Sequence, residues 1–435
     1  MKIYIKRESL DRIIWTLYLF VVIFAPPIIP YPHLVLTAIS VLLLVTEYRP
    51  YYKGIAVAST AYTWLLGMIV VAVYALTIPT AISMFLSDIV QTSHYISLFN
   101  RFAVLVVTII PCSTLLLCKI YKSGYGIDFF LECIIKAGLL EGLTAILAFL
   151  SPAVKDVFIS LMRRNTDISL YNNTWYITVR SYGLAGTLVD LYGLGIAIIA
   201  GISFFYGVTR KRRYVIYSML IAVAALLNAR TGVIIYLAAV VFSLIYLIAT
   251  SHIKSAGKAI IALIILYFFV QLVFSMISKN QYTSGWLNSA VTDVQKFLDN
   301  ATSGSQTAQN NEIAKLFSQR YWQLPDNPIR VFLGTGHSLY ETGGAYAHSD
   351  VGYINDIWFI GLLGVTFMYG MVVMRSVNIV RRSTNIIFRF AAIYILIAFF
   401  IFNIKGAAIG YNPGAASIFL LLFGMSYFSA QGIQE

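Results

Sequence analysis

Apolar runs of about twenty residues recur along the chain, separated by short segments rich in charged residues, Pro and Gly. A helix of about twenty apolar residues crosses the ~30 Å hydrocarbon core of a bilayer. The pattern predicts an all-α polytopic membrane protein with about twelve spans, of which the second and seventh are the shortest. The predicted spans are 13–30, 33–47, 55–78, 102–118, 128–150, 185–207, 214–228, 231–250, 259–277, 356–374, 390–407 and 413–430.

Two polar segments are longer than simple turns. Residues 1–277 hold the first nine spans and include an outer segment at 151–184, in which Ser151 and Pro152 are the N-cap and first residue of a predicted interfacial helix. Residues 278–355 form the largest loop, with helical patterns at 286–298 and 312–322. Residues 356–435 hold the last three spans.

Charge sets the predicted orientation. The composition is 59% hydrophobic and 11% charged, and the net charge is +13. With the N-terminus inside, the inner segments carry eighteen Lys and Arg residues and the short outer segments seven, which predicts that both termini are cytoplasmic. The positive charge thus indicates topology and not nucleic-acid binding. Three cysteines in apolar runs predict neither a disulfide framework nor a metal site.

Two outer arginines are candidates for binding an anion. Arg230 lies at the outer end of a tight helical hairpin, followed by Thr231 and Gly232 and without an acidic neighbour. A guanidinium pairs bidentately with phosphate, although an arginine at a helix end also anchors it by snorkelling. Arg180 precedes Gly183, whose backbone would let a ligand approach, and a structural capping role is equally open.

The large loop supplies the other candidates. Arg320 and Arg330 flank an Asp-Asn-Pro turn, and one of the two is expected to be a solvated charge. Gly334-Thr335-Gly336 lacks the strand and the lysine of nucleotide-binding loops, so its default interpretation is a turn.

His348 and Asp350 stand just outside the tenth span. A histidine titrates near working pH, as proton abstraction from a sugar hydroxyl requires, so His348 is a candidate general base, with His337 a weaker one. Dispersed aspartates predict no metal cluster.

Charges also occur inside a predicted span. Glu132 and Lys136 are four residues apart and are predicted to pair on one helix face, and Glu141 lies on the opposite face. Intramembrane charges are functional candidates by default, so a transporter is a hypothesis. A transporter would show repeated halves and midplane sites in broken helices, and the sequence displays neither.

These pieces together resemble the bacterial O-antigen polymerases (Wzy-type) and the related O-antigen ligases, over about residues 174–364. The residues that carry the resemblance are Arg180 with Gly183, the run Asn228-Ala229-Arg230-Thr231-Gly232, Arg320 with Asn327-Pro328, Gly334 with Gly336, His348-Ser349-Asp350 with Gly352 and Tyr353, and Gly361 with Gly364.

The resemblance implies a GT-C-like, metal-independent glycosyltransferase without cofactors in the bacterial inner membrane. It would join oligosaccharide repeats on undecaprenyl diphosphate at the periplasmic face, among membrane lipids, with a chain-length regulator and a flippase as partners. Arg180 and Arg230 would hold the diphosphate, and His348 would match the histidine proposed as base in the ligases. Asp350 is the alternative candidate for the base. Arg320, Arg330, Gly334, Gly336 and Tyr353 would complete the substrate site.

Two alternatives stay open. A ligase would transfer the polymer to the lipid A core, and ligases more often have His followed by Asn where this chain has Ser349-Asp350, which favours a polymerase. The alternative from another class is a polysaccharide transporter or flippase.

Overall fold

The described part of the chain is mainly helical. The computed structural model describes residues 7–26, 28, 32–47, 70, 73–74, 77–78, 81, 110–123, 125, 127–165, 181, 183–185, 189–228, 230–278, 319–335, 349 and 351–406, of which none lies in a β-strand. The helices are α1 (Arg7–Phe24), α2 (Pro32–Thr46), α3 (Ile110–Ser123), α4 (Ile127–Leu150), α5 (Pro152–Asn165), α6 (Val189–Thr209), α7 (Arg213–Asn228), α8 (Arg230–Ala249), α9 (Ile253–Ser278), α10 (Pro328–Leu333), α11 (Gly352–Arg382) and α12 (Ile386–Phe402). The predicted all-α class is confirmed for this part of the chain.

Four of these helices are long and apolar enough to cross a membrane, namely α4, α6, α8 and α11. The helices α2, α3, α7 and α12 are apolar but shorter. Most of the predicted span 55–78 and all of 413–430 lie outside the described residues. A membrane protein is therefore supported, while the count of about twelve spans and the GT-C-like architecture stay predictions.

Helix α6 occupies the centre of the bundle. It packs against α4, α7, α8 and α12, and 94% of its apolar window is buried. Tyr394 of α12 crosses this core, where its hydroxyl donates to the carbonyl of Ala197 in α6 at 2.8 Å and lies 3.5 Å from the carbonyl oxygen of Ile235 in α8. Burial of the tyrosine hydroxyl is compensated by these backbone acceptors.

The outer surfaces of α2, α8 and α9 are apolar. Leu42, Ile245 and Phe268 are 62%, 58% and 66% exposed, and neighbouring positions on the same helices are similar. A soluble protein rarely leaves so many large apolar side chains in water, whereas lipid tails solvate them. These faces are those expected to meet the bilayer.

The observed helix boundaries agree with the predicted spans to different degrees. Helices α7 and α8 begin one residue before the predicted spans 214–228 and 231–250. Helix α1 begins at Arg7 and ends at Phe24, earlier than the predicted 13–30, because Ala25 has a φ of 47° and Pro26 follows. The helix predicted after Ser151 is confirmed as α5, with the Val154 N–H 3.4 Å from the Ser151 hydroxyl oxygen.

The tenth predicted span, 356–374, is interrupted. Helix α11 bends at Gly361, whose φ of 64° and ψ of 175° are not helical. Residues 352–360 therefore form a separate segment, and the straight part of the helix follows the bend. The Gly-x-x-Gly pattern signalled this region, but apolar composition alone does not distinguish a bent helix from a continuous one.

A cluster of charges closes one end of the bundle. Glu132 of α4 accepts hydrogen bonds from Arg12 and Lys211, and Arg213 lies 3.9 Å from its carboxylate. Tyr206 donates to the same carboxylate at 3.1 Å. Among the described residues the ion pairs of Glu132 thus come from α1, the α6–α7 turn and the first residue of α7. Lys136, predicted to pair with Glu132, attracts it electrostatically but forms no ion pair within 4 Å in the described part of the chain. Cations from other parts of the fold therefore bind the Glu132 carboxylate more closely than the lysine on its own helix does.

Candidate functional site

The segment after position 180 is held against the tip of the α7–α8 hairpin. The Ser181 N–H lies 3.4 Å from the carbonyl oxygen of Leu227, and the side-chain amide of Asn228 donates to the Ser181 carbonyl. The Ser181 hydroxyl donates to the carbonyl of Ala145 in α4 at 2.6 Å. Three elements therefore meet at Ser181, which lies one residue after Arg180 and is bonded to the turn that leads into Arg230.

Asn228 ends α7 by turning its side chain back onto the backbone. Its amide nitrogen donates to Ala224 at 2.8 Å as well as to Ser181. The side chain is fully buried, and its Oδ1 has no hydrogen-bond partner among the described residues. A buried amide that links two chain segments explains why an asparagine stands at this position in an otherwise apolar hairpin.

Arg230 is the first residue of α8. Two residues later, Gly232 lets α8 approach the start of α6, because a Cβ there would lie 2.9 Å from the carbonyl oxygen of Gly193. The start of α8 is therefore fixed by close backbone packing. The Arg230 side chain and all of Arg180 lie outside the described residues.

A second assembly forms where the large loop meets α11. Ser349 is buried, and its hydroxyl donates to the carbonyl of Tyr321 at 2.7 Å. The amide of Asn355 donates to the Ser349 carbonyl at 2.8 Å. The indole of Trp358 donates to the carbonyl of Gln323, also at 2.8 Å. These bonds dock residues 319–323 onto the first turns of α11.

The bend at Gly361 is filled by the chain itself. The backbone N–H and the hydroxyl of Thr335 both donate to the Trp358 carbonyl, at 2.7 and 2.8 Å. Gly334 packs against Gly361, since a Cβ on Gly361 would lie 2.4 Å from the Gly334 nitrogen. The Trp358 carbonyl, released by the break in the helix, thus finds its donors in the loop.

This packing changes the interpretation of the Gly-x-Gly pattern. Gly334 is buried, has a φ of 87° and packs against the backbone of Gly361. At this position the loop therefore contacts α11 of the same chain. Its glycine identity is explained by that close approach. Gly336 lies outside the described residues.

The remaining predicted residues of the loop are placed in part. Arg330 is half-buried in the short helix α10, whose N-cap is the Asn327 side chain, as the Asn-Pro turn predicts. Arg320 lies in a 3-10 turn at Gln319–Trp322, but its side chain is outside the described residues, as are the whole of His348 and Asp350.

Tyr353 is bound to the C-terminal end of α12. Its N–H donates to the carbonyl of Asn403 at 3.2 Å, and its hydroxyl donates to the carbonyl of Phe400 at 2.8 Å. Its hydroxyl therefore already serves to dock the first segment of α11 on α12.

The two assemblies share α12. Asn403, which follows the last residue of this helix, contacts the α11 segment. Tyr394 on the same helix bonds to α6, which packs against the α7–α8 hairpin, and lies close to α8 of that hairpin. The described contacts join Ser181 to Asn228 directly and join Ser349 to the loop directly. Helix α12 links these two assemblies.

No protein-family model matches the chain, and a search of curated proteins finds no significant match.

Sequence reasoning did not assign the contacts of three buried polar residues. Glu141, Asn228 and Asp356 are 0%, 0% and 3% exposed. Each of the three residues stands in or beside an apolar run. A polar group in such a run is costly unless it is hydrogen-bonded, so its position is the signal that the sequence offers. The sequence does not reveal which residues bond to it, because the chain brings them together only on folding.

Proposed function

We propose that the chain is a polysaccharide polymerase that joins oligosaccharide repeats carried on undecaprenyl diphosphate at the periplasmic face of the bacterial inner membrane. The observation that carries the proposal is the bonding of Ser181 to Leu227 and Asn228. Consecutive Cα atoms are about 3.8 Å apart. Arg180 and Arg230 therefore belong to two chain segments joined within one or two residues of each arginine.

The end of the bundle that carries Ser181 and the α7–α8 turn is expected to face the periplasm. Glu132 and the cations Arg12, Lys211 and Arg213 meet near the start of α4, whereas Ala145, which binds Ser181, is thirteen residues further along that helix. Thirteen helical residues extend about 20 Å. If the basic end is cytoplasmic by the positive-inside rule, the two arginines lie towards the periplasmic surface, where a lipid diphosphate would be presented.

The proposed reaction is a displacement at the first sugar of the donor. A hydroxyl oxygen of the acceptor repeat bonds to the anomeric carbon, and the bond from that carbon to the diphosphate oxygen breaks. The hydroxyl proton passes to His348 or Asp350. The departing undecaprenyl diphosphate takes the electron pair, and Arg180 and Arg230 offset its growing negative charge.

The segment around the proposed base has a rigid support. Ser349, between His348 and Asp350, is bonded to Tyr321 and Asn355. A base carried beside a buried, bonded residue is held in place more firmly than one on a free loop. This supports the assignment of His348 and Asp350 without deciding between them.

The test replaces Arg230 in purified protein supplied with lipid-linked repeats. Loss of one charge-stabilising donor typically costs about 3 kcal/mol of barrier, on the order of a hundredfold in rate. We expect Arg230→Ala to insert and fold but to make little polymer, and Arg230→Lys to retain part of the activity. Arg381→Ala, at an exposed position in the last turn of α11, is the control, and the protein that carries it should make polymer normally. Polymer of normal length from Arg230→Ala would disprove the role of this arginine.

A gene deletion separates polymerase from ligase. Loss of a polymerase should leave lipopolysaccharide that bears a single repeat. Loss of a ligase should leave the lipid A core uncapped while long chains accumulate on the carrier.

One observation favours a transporter as the second candidate. Helix α11 is broken at Gly361, and the buried carboxylate of Asp356 lies five residues before the break, as in membrane proteins that bind substrates at broken helices. Against it, Thr335 already occupies the freed Trp358 carbonyl. Liposomes that contain the protein would move a lipid-linked sugar without lengthening it if the transporter hypothesis were correct.

A further inference from the structure

A carboxylate in α4 holds the segment that follows Arg180. The Leu184 N–H lies 3.3 Å from Oε2 of Glu141, and the Thr144 hydroxyl donates to the Glu141 carbonyl at 2.9 Å. Glu141 is fully buried. Together with Gly183, these residues form what we term the clasp: Glu141, Thr144, Gly183 and Leu184.

The fit between Gly183 and Glu141 is close. Gly183 has a φ of +57°, and a Cβ there would lie 2.5 Å from Oε1 of Glu141 and 2.5 Å from the Thr144 hydroxyl. A larger residue would be strained by its backbone conformation and would also collide with both side chains. The turn at Gly183 therefore lies directly on the carboxylate, which fixes the backbone two residues after Ser181.

Stability alone does not explain a carboxylate at this position. The Tyr192 side chain and the Ala185 N–H also lie beside the Glu141 carboxylate, but among the described residues no Lys or Arg forms an ion pair with it. Burying a carboxylate that lacks an opposite charge is costly, and an apolar side chain of similar size is often equally stable or more so. A residue that is retained despite this cost is a candidate for a functional role.

We propose that Glu141 is a positioning residue for the donor diphosphate: it holds Gly183 and Leu184, close to Arg180 in the chain, at a fixed place beside the α7–α8 turn that leads into Arg230. This inference rests on the proposed polymerase function. Ser181 bonds to both α4 and the hairpin, so the clasp sets the placement of one arginine relative to the other. A guanidinium displaced by about 1 Å loses much of its effect on a developing charge.

The experiment compares Glu141→Leu with Glu141→Gln. Glutamine keeps an acceptor for the Leu184 N–H, whereas leucine keeps the volume but removes the acceptor. Leu143→Ala, a partly exposed position on the same helix, is the matched control. Three quantities are measured in detergent: the melting temperature, the Kd for a short polyprenyl diphosphate, and kcat/KM for the lipid-linked donor.

We expect the folded fraction of Glu141→Leu, whatever its melting temperature, to bind the diphosphate with a Kd about tenfold higher than that of the wild type, and its kcat/KM for the donor to fall by at least as much. Glu141→Gln and Leu143→Ala should stay close to the wild type in all three. A role in stability alone predicts instead that Glu141→Leu melts lower and that the Kd of its folded fraction is unchanged, and this result would overturn the inference.

Failure of the inference can be distinguished from failure of the proposed function. If Arg230→Ala polymerises normally, the proposed function fails whatever Glu141 does. If Arg230→Ala is inactive and Glu141→Leu binds the diphosphate as tightly as the wild type, the function stands and only the role of Glu141 is rejected. Gly183→Ala gives a second route to the same displacement and should weaken diphosphate binding in its folded fraction.

Discussion

The hydroxyl of Tyr369 donates a hydrogen bond of 2.6 Å to the buried carboxylate of Asp356, although thirteen residues separate them in the same helix. In a straight helix they would lie about 20 Å apart, beyond the reach of the two side chains. The bond therefore exists only because α11 bends at Gly361 and its first segment folds back. Asn403 completes the group by donating to the tyrosine oxygen at 2.8 Å.

The first prediction concerns this bond. Tyr369→Phe removes the donor and leaves a buried carboxylate without it, which should cost about 1–3 kcal/mol of stability. The measurement is thermal unfolding in detergent. Asp356→Asn is the control, because its amide oxygen still accepts from the tyrosine and no charge is buried; it should unfold near the wild-type temperature. Equal unfolding of wild type and Tyr369→Phe would contradict this account of the bend.

The second prediction concerns the bend itself. Gly361 has a backbone conformation that is essentially restricted to glycine, and a Cβ there would collide with the Gly334 backbone. We expect Gly361→Ala to destabilise the protein by at least about 2 kcal/mol. Gly370→Ala in the same helix meets nothing within 4 Å and should be neutral or stabilising by up to about 1 kcal/mol. Limited proteolysis of the 319–335 segment would report its release in Gly361→Ala alone.

How far the sequence predicts the structure depends on whether the deciding contacts are local. The α7–α8 hairpin was predictable to within a residue, because Asn228 and the following Arg230 interrupt an apolar run. The bend in α11 was not, since Gly361 is stabilised by Gly334 and Thr335 from a separate segment. The contact ion pairs of Glu132 were not predictable for the same reason, as they come from α1 and from the region where α6 turns into α7.

In the candidate site, too, local features were predictable from the sequence and contacts between distant segments were not. The sequence predicted Arg180 and Arg230 as partners, and the structure describes the backbone contact between their segments through Ser181 and Asn228. Glu141 was noticed only as an intramembrane charge, because its relation to Gly183 depends on how the outer segment folds onto α4. His348 and Asp350 stay predictions.

The third prediction concerns the charge cluster at the other end. Glu132→Gln removes the only carboxylate that Arg12 and Lys211 share among the described residues and leaves their charges repelling each other. Because Lys211 is half exposed, we expect a loss of about 2 kcal/mol, less than for a fully buried pair. Glu8→Gln removes an exposed carboxylate from Arg12 and should cost at most about 1 kcal/mol. Chemical unfolding at low and high salt checks both, and a larger effect of Glu8→Gln would contradict the assignment.

The fourth prediction fixes the sidedness on which the proposed function depends. Cys112, Cys118 and Cys133 are all buried, so the wild-type protein should react little with a membrane-impermeant maleimide. A cysteine placed at Asp326, exposed in the large loop, should be labelled in intact spheroplasts because that loop is predicted to be periplasmic. A cysteine at His252, exposed in the α8–α9 turn, should be labelled only after lysis. The opposite pattern would place the ends bearing Arg180 and Arg230 in the cytoplasm, where no periplasmic polymerisation could occur, and the proposed function would have to be abandoned.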